Sequence, residues 1–190
     1  MGVSGSGLIG HNGGPSVSEG RSWRLHCWKA AREALLPTLP IEVVRLRVKR
    51  ARDLGLDYKT YASVRAASGH DLVAFLFSSN ALRVTPVRLS LPQVQAMKLE
   101  SVTAGRIALA VGRVDPGALM QANPVLDEAF DAPQVWAKFG EAGRAIRAAL
   151  GKTPGDRVLL VGDTPFEQDW CAAGRLAGYL TAERYFGAGA

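Results

Sequence analysis

Residues able to do chemistry gather at two places in this 190-residue sequence. At Gly162-Asp163-Thr164-Pro165-Phe166-Glu167, two carboxyl groups lie four residues apart with a hydroxyl between them. At Ser78-Ser79-Asn80, two hydroxyls and an amide follow an apolar run. Acids at this spacing suit Mg²⁺ with waters, so Asp163 and Glu167 are candidate metal ligands. Hydroxyls, an amide and the N–H groups of a helix start suit phosphate, so Ser78, Ser79, Asn80 and Thr164 are candidate phosphate-binding residues. A plainer reading stands beside this one. Asp163 or Thr164 caps a helix, Pro165 occupies its first turn, and Glu167 answers the positive end of the helix dipole.

These residues need elements to position them. "LVAFLF" (72–77), "RIALAVG" (106–112) and "RVLLVG" (157–162) are continuous apolar runs, as expected of strands covered on both faces. "YLTAERYF" (179–186) is a weaker fourth. Helical stretches fill the gaps at about 92–102, 133–150 and 166–177. Strands alternating with helices predict an α/β fold with a parallel, Rossmann-like sheet of about four strands over 70–190. In such a sheet ligands bind beyond the carboxyl ends of the strands, so both clusters should share one edge. Lys98 is a speculative charge partner there.

Ahead of this domain the pattern is helical. One helix is expected from Glu19 to Leu36 and another from Ile41, closed by Gly55. A short third runs from Tyr58 to Ala67, closed by Ser68-Gly69. Residues 19–69 thus read as a basic helical arm, and the Gly/Ser-rich residues 1–18 as a flexible tail. The pattern Gly5-Ser6-Gly7-Leu8-Ile9-Gly10 lacks the strand and helix that a dinucleotide fingerprint requires. Gly151-Lys152-Thr153 follows a helix instead of opening one, and no Gly-x-Ser-x-Gly elbow is present. His11, His26 and His70 cannot be paired with Ser78 or Cys171 from spacing alone, and Cys171 reads as a small buried residue.

The net charge is +6, and it is uneven. Residues 21–88 hold 13 basic against 5 acidic residues, while residues 89–190 hold 10 against 11. A basic half joined to a near-neutral half suggests a polyanion partner, and equally describes a solvated basic surface. Arg45, Arg47, Lys49, Arg50, Arg52, Lys59 and Arg65 are the candidate nucleic-acid contacts. Arg45, Lys49 and Arg52 fall on one helical stripe. Residues 49–69 have the shape of a helix-turn-helix, with Tyr61 and Val64 inward and Lys59, Thr60, Ser63 and Arg65 outward. Trp23, Trp28, Tyr58 and Tyr61 among these cations also suit single strands. No apolar run approaches about 18 residues, so no membrane span is expected. The first twenty residues lack a basic region followed by an apolar core, so no secretory signal is expected. Two distant cysteines point to a reducing compartment, the cytoplasm.

"VLLVGDTPFEQDWCAAGRLAG" resembles the last motif of haloacid-dehalogenase-like (HAD-like) phosphohydrolases, a strand followed by GD-T-P-x-D and an Ala/Gly-rich helix. The resemblance implies metal-binding positions at Asp163 and Glu167, with Glu replacing Asp at the second, and Mg²⁺ as cofactor. "FLFSSNAL" (75–82) has the shape of that family's first motif, but Ser78 and Asn80 stand where both aspartates belong. The carboxylate that attacks phosphorus in that family is missing. The leading expectation is therefore a non-enzymatic binding module contacting nucleic acid or another phosphate polyanion. The alternatives are a degenerate Mg²⁺-dependent HAD-like phosphohydrolase acting on a small phosphorylated molecule, and an adaptor subunit with a protein partner.

Overall fold

The computed structural model of the protein describes residues 39–187. The expected tail, the helix from Glu19 to Leu36 and the Gly5–Gly10 pattern lie outside the described residues, as do Trp23, Cys27 and Trp28. Helices α1 (Ile41–Asp53) and α2 (Tyr58–Ser68) come first. They are followed by β1 (Ala74–Ser78), α3 (Gln93–Glu100), β2 (Gly105–Ala110), α4 (Pro116–Ala122) and β3 (Glu128–Asp131). Then come α5 (Phe139–Leu150), β4 (Val158–Gly162), α6 (Pro165–Gly174), β5 (Gly178–Thr181) and α7 (Ala182–Phe186).

The strands form one parallel sheet in the order β3-β2-β1-β4-β5. The α/β, Rossmann-like expectation holds, with five strands where the sequence suggested about four. The extra strand is β3, Glu-Ala-Phe-Asp, whose burial is partial because it lies at the sheet edge. The expected strand over 179–186 is half as long. It stops at Thr181, whose hydroxyl accepts the N–H of Arg184 and starts α7.

β1 and β4 are buried at every position, which is why their sequences are unbroken apolar runs. Alternate residues serve opposite faces. Phe75, Phe77, Leu159 and Val161 join a core with Leu54, Tyr61, Leu82, Leu99 and Tyr185. Ala74, Leu76, Val158 and Leu160 join another with Ile146, Ala149, Trp170 and Ala173 of α5 and α6. Ala51, Leu54 and Tyr61 bring the described part of the basic arm into the first of these cores. Glu42–Ala190 accordingly form one compact unit.

The turn between α1 and α2 holds Gly55 at φ +65°, a conformation that favours glycine. Asp57 then caps α2 by accepting the N–H of Thr60, and Gly69 closes it in the left-handed conformation. The arm's inward residues are as expected: Tyr61 is buried and Val64 packs on the core. Thr60, expected outward, is instead buried, and its hydroxyl accepts Arg184 Nη2 at 2.9 Å. One exposed threonine is thereby removed from the surface expected to contact nucleic acid.

Candidate functional site

β1 and β4 are neighbours, and the chain winds away from them in opposite directions. This is the switch point at which open α/β sheets bind ligands. Residues 78–80 and 162–167 do share that edge. Asn80 Nδ2 donates to Glu167 Oε1 at 2.9 Å, and Arg83 Nη1 lies 2.8 Å from Asp163 Oδ2.

Glu167 is fully buried. Its Oε2 accepts the N–H groups of Asp163 at 2.6 Å and Thr164 at 2.9 Å, while Oε1 accepts the Asn80 amide. These donors are the N-cap N–H and the one before it, at the entry to α6 and beside the place where a helix start would hold an anion. The chain's own carboxyl group already engages them. Gly162 makes room for it: a Cβ there would stand 2.7 Å from Glu167 Oε2 and 2.7 Å from the Tyr179 ring. Burial, followed by the adjacent Glu167 and Asp163, pushes the Tyr179 phenol up.

The hydroxyls of β1 are likewise engaged. Ser78 and Ser79 are buried; the Ser78 hydroxyl accepts Ala81 N–H at 3.1 Å and the Ser79 hydroxyl accepts Val111 N–H at 3.0 Å. They tie the β1 turn to itself and to the end of β2. Thr164 Oγ1 is buried with no hydrogen-bond partner among the described residues.

The resemblance implies Mg²⁺ at Asp163 and Glu167, and the donor set does not fit it. Both Glu167 oxygens face N–H donors, and Asp163 faces a guanidinium, whereas Mg²⁺ requires oxygens free to point at the ion. Among the described residues no three His, Cys, Asp or Glu side chains come together. Lys98 is not part of this edge. It sits beside Gly55 and over the Tyr185 ring, 4.6 Å from its centroid, and donates to the Tyr185 carbonyl. Burial holds its ammonium below the usual lysine range.

The seven candidate basic residues divide into three groups. Arg50 is a structural clamp: Nε donates to Asp71 at 3.0 Å and Nη2 to the Leu72 carbonyl at 2.7 Å. Arg65 Nη1 donates to the Tyr61 hydroxyl and lies 3.6 Å from Asp71, while Tyr61 donates to the same carboxylate at 2.8 Å. Asp71 therefore takes two of the seven cations, pinning both helices to the entry of β1. Arg47 is half-buried. Arg45, Lys49, Arg52 and Lys59 are exposed, and three of them form the stripe read from the sequence, beside Val44 and Val48. Arg45 shares its charge with Glu42 at 2.9 Å, a surface pair that contributes little.

Sequence reasoning missed Arg83 and Asp71. Arg83 adopts φ +59°, and no local pattern announces an arginine in that conformation. For Asp71 a signal was present: a lone acid within a basic stretch suits an internal ion pair. Among the described residues, no helix is long and apolar enough to cross a membrane. Compared with family models, curated proteins and solved structures, the chain matches none of them.

Proposed function

We propose that the protein is a non-enzymatic binding module on a Rossmann-like scaffold, contacting nucleic acid or another phosphate polyanion through α1 and the start of α2. The observation that carries this reading is the exposed stripe of Arg45, Lys49 and Arg52, with Lys59 exposed on the next helix. Cations on one helical face reach successive phosphates and release their counterions, so affinity falls with salt. Arg47 adds charge from a half-buried position. Arg50 and Arg65 are engaged by Asp71 and support the helices rather than the partner. The cytoplasm suits this role and the free, partly buried Cys171.

Titration of the chain into labelled DNA and RNA across a salt series tests the reading. Binding at low salt that weakens steeply as salt rises is expected, and absence of binding at low salt discards it.

The HAD-like reading, an Mg²⁺-dependent phosphohydrolase, has one observation in its favour: Asn80 and Glu167 meet at the strand tips as the resemblance requires. Against it stand the missing nucleophile and the engaged carboxyl groups. A phosphatase screen with Mg²⁺ decides. Activity that Asp163→Ala abolishes would revive it, and equal activity in both proteins, or none in either, would end it.

A further inference from the structure

The sheet face covered by α5 and α6 ends in a cleft that the binding surface above does not use. It encloses about 150 Å³, on the scale of a single apolar side chain. Val135, Phe139, Phe166 and Trp170 supply apolar walls, and Asp169 supplies a charge. At its lip Trp136, in the loop before α5, is 93% exposed and Phe139, the first residue of α5, is 64% exposed. An exposed aromatic of this size beside an apolar cleft is the composition of an interface hot spot. Asp169 makes no ion pair among the described residues. Asp131 and Glu141, both exposed, bracket the loop, with Lys138 between them. With Asp169 in the wall and two of these three flanking charges negative, the cleft is a poor seat for the phosphates that would accompany nucleic-acid bases stacked on Trp136.

The complementary surface is on the same chain. α1 turns Val48, Arg45, Lys49 and Arg52 outward, a basic face with an apolar knob. We propose that the cleft lined by Phe139, Phe166 and Asp169 receives the outward face of α1 from a second copy of the chain. Val48 would enter between the aromatics, and the α1 cations would meet Asp169, Asp131 and Glu141. Because the two surfaces differ, the contact is heterologous, and copies add head to tail. The inference does not rest on polyanion binding, but it predicts a link to it: one helical face cannot serve a polyanion and a second copy together.

Sedimentation velocity over a concentration series at low salt tests this with three proteins: the full chain, Trp136→Ala, and the double variant Arg45→Glu, Lys49→Glu. All three sites are exposed, so the variants should fold. The full chain should grow beyond the one-chain mass with concentration, and high salt should reverse this. Each variant alone should stay at the one-chain mass, because each keeps only one of the two surfaces. Mixed in equal amounts, they should form a two-chain species and nothing larger. A full chain that stays single at every concentration overturns the proposal, as does self-association that Trp136→Ala retains or a mixture that does not pair. Nucleic-acid binding is read separately: it should survive Trp136→Ala, and its loss there would give the cleft to a nucleic acid instead.

Discussion

Glu167 occupies a place in which a carboxyl group, fully buried, meets three N–H donors. Truncation would leave Asp163 N–H, Thr164 N–H and the Asn80 amide without their acceptor in a buried setting, at a cost of about 2–3 kcal/mol. Glu167→Ala should therefore lower the urea midpoint by a corresponding amount. Gly162→Ala should act in the same direction by forcing the carboxyl group out of its seat; a midpoint unchanged in both would remove the structural role assigned to this residue. Asp127 gives a prediction with a pH axis. Hydrogen bonding from Arg106, partly offset by burial, holds its carboxyl below the usual carboxylate range. The unfolded chain then binds the proton at higher pH than the folded one. The stabilisation is present above about pH 4 and is lost as pH falls through the folded value. Asp127→Asn should have a flatter stability profile between about pH 5 and pH 2 than the parent. Much of this chemistry was invisible along the chain. That Asp163 and Glu167 meet Ser78–Asn80 followed from three apolar runs and the geometry of parallel sheets. That Glu167 turns back onto its own helix start is the capping box that Thr164-Pro165-Phe166-Glu167 spells out; that Arg83 takes Asp163 depends on a loop in which Arg83 adopts φ +59°, which residue types do not encode.

Among the elements, the legible ones were those whose pattern is dense. β1, β2 and β4 were found because strands buried on both faces have no polar alternation to confuse them. β3 and α4 were missed: four residues with exposed ends, and seven residues started by an Asp115 cap and Pro116, are too short for periodicity to register. The helix expected from Pro133 begins at Phe139, and that difference leaves Trp136 on an exposed loop instead of a helix face. The α5–α6 contact was also silent in the sequence, because it depends on what glycine lacks. A Cβ at Gly143 would stand 2.7 Å from the Ala173 carbonyl oxygen, and one at Gly174 would stand 2.5 Å from Ile146 Cγ2. Gly143→Ala should push the helices apart at a cost of about 1–3 kcal/mol. Gly140→Ala is the internal control. It lies in the same helix, its Cβ would meet nothing nearer than Arg144 Nη1 at 4.0 Å, and the change should be neutral or stabilising by up to about 1 kcal/mol. Thermal denaturation of both variants separates the two; equal effects would mean that helix propensity, not close approach, governs this pair.

Across the whole molecule, the surplus of cations before residue 89 is what the sequence displays most openly, and the fold divides it by purpose. Arg50 reaches Asp71, the Leu72 carbonyl and Thr103, so its charge is spent inside the structure, where it fastens α1 to the entry of β1 and the approach to β2. Arg52, two residues on, is exposed and belongs to the outward stripe. A count of basic residues treats them alike; their surroundings do not. Arg50→Ala should destabilise the fold, because it leaves Asp71 short of a partner and frees the Leu72 carbonyl, yet the salt dependence of polyanion binding by the folded fraction should barely change. Arg52→Ala should leave the urea midpoint within about 0.5 kcal/mol of the parent. It should weaken binding to every sequence alike and reduce the slope of log K against log salt by about 1, the value for one lost phosphate contact. Measuring stability and salt slope on both variants crosses the two readouts. A slope that drops with Arg50→Ala and holds with Arg52→Ala would reverse the division of labour that the Asp71 cluster implies, and would move the binding surface from the outward stripe to the junction between α1 and the sheet.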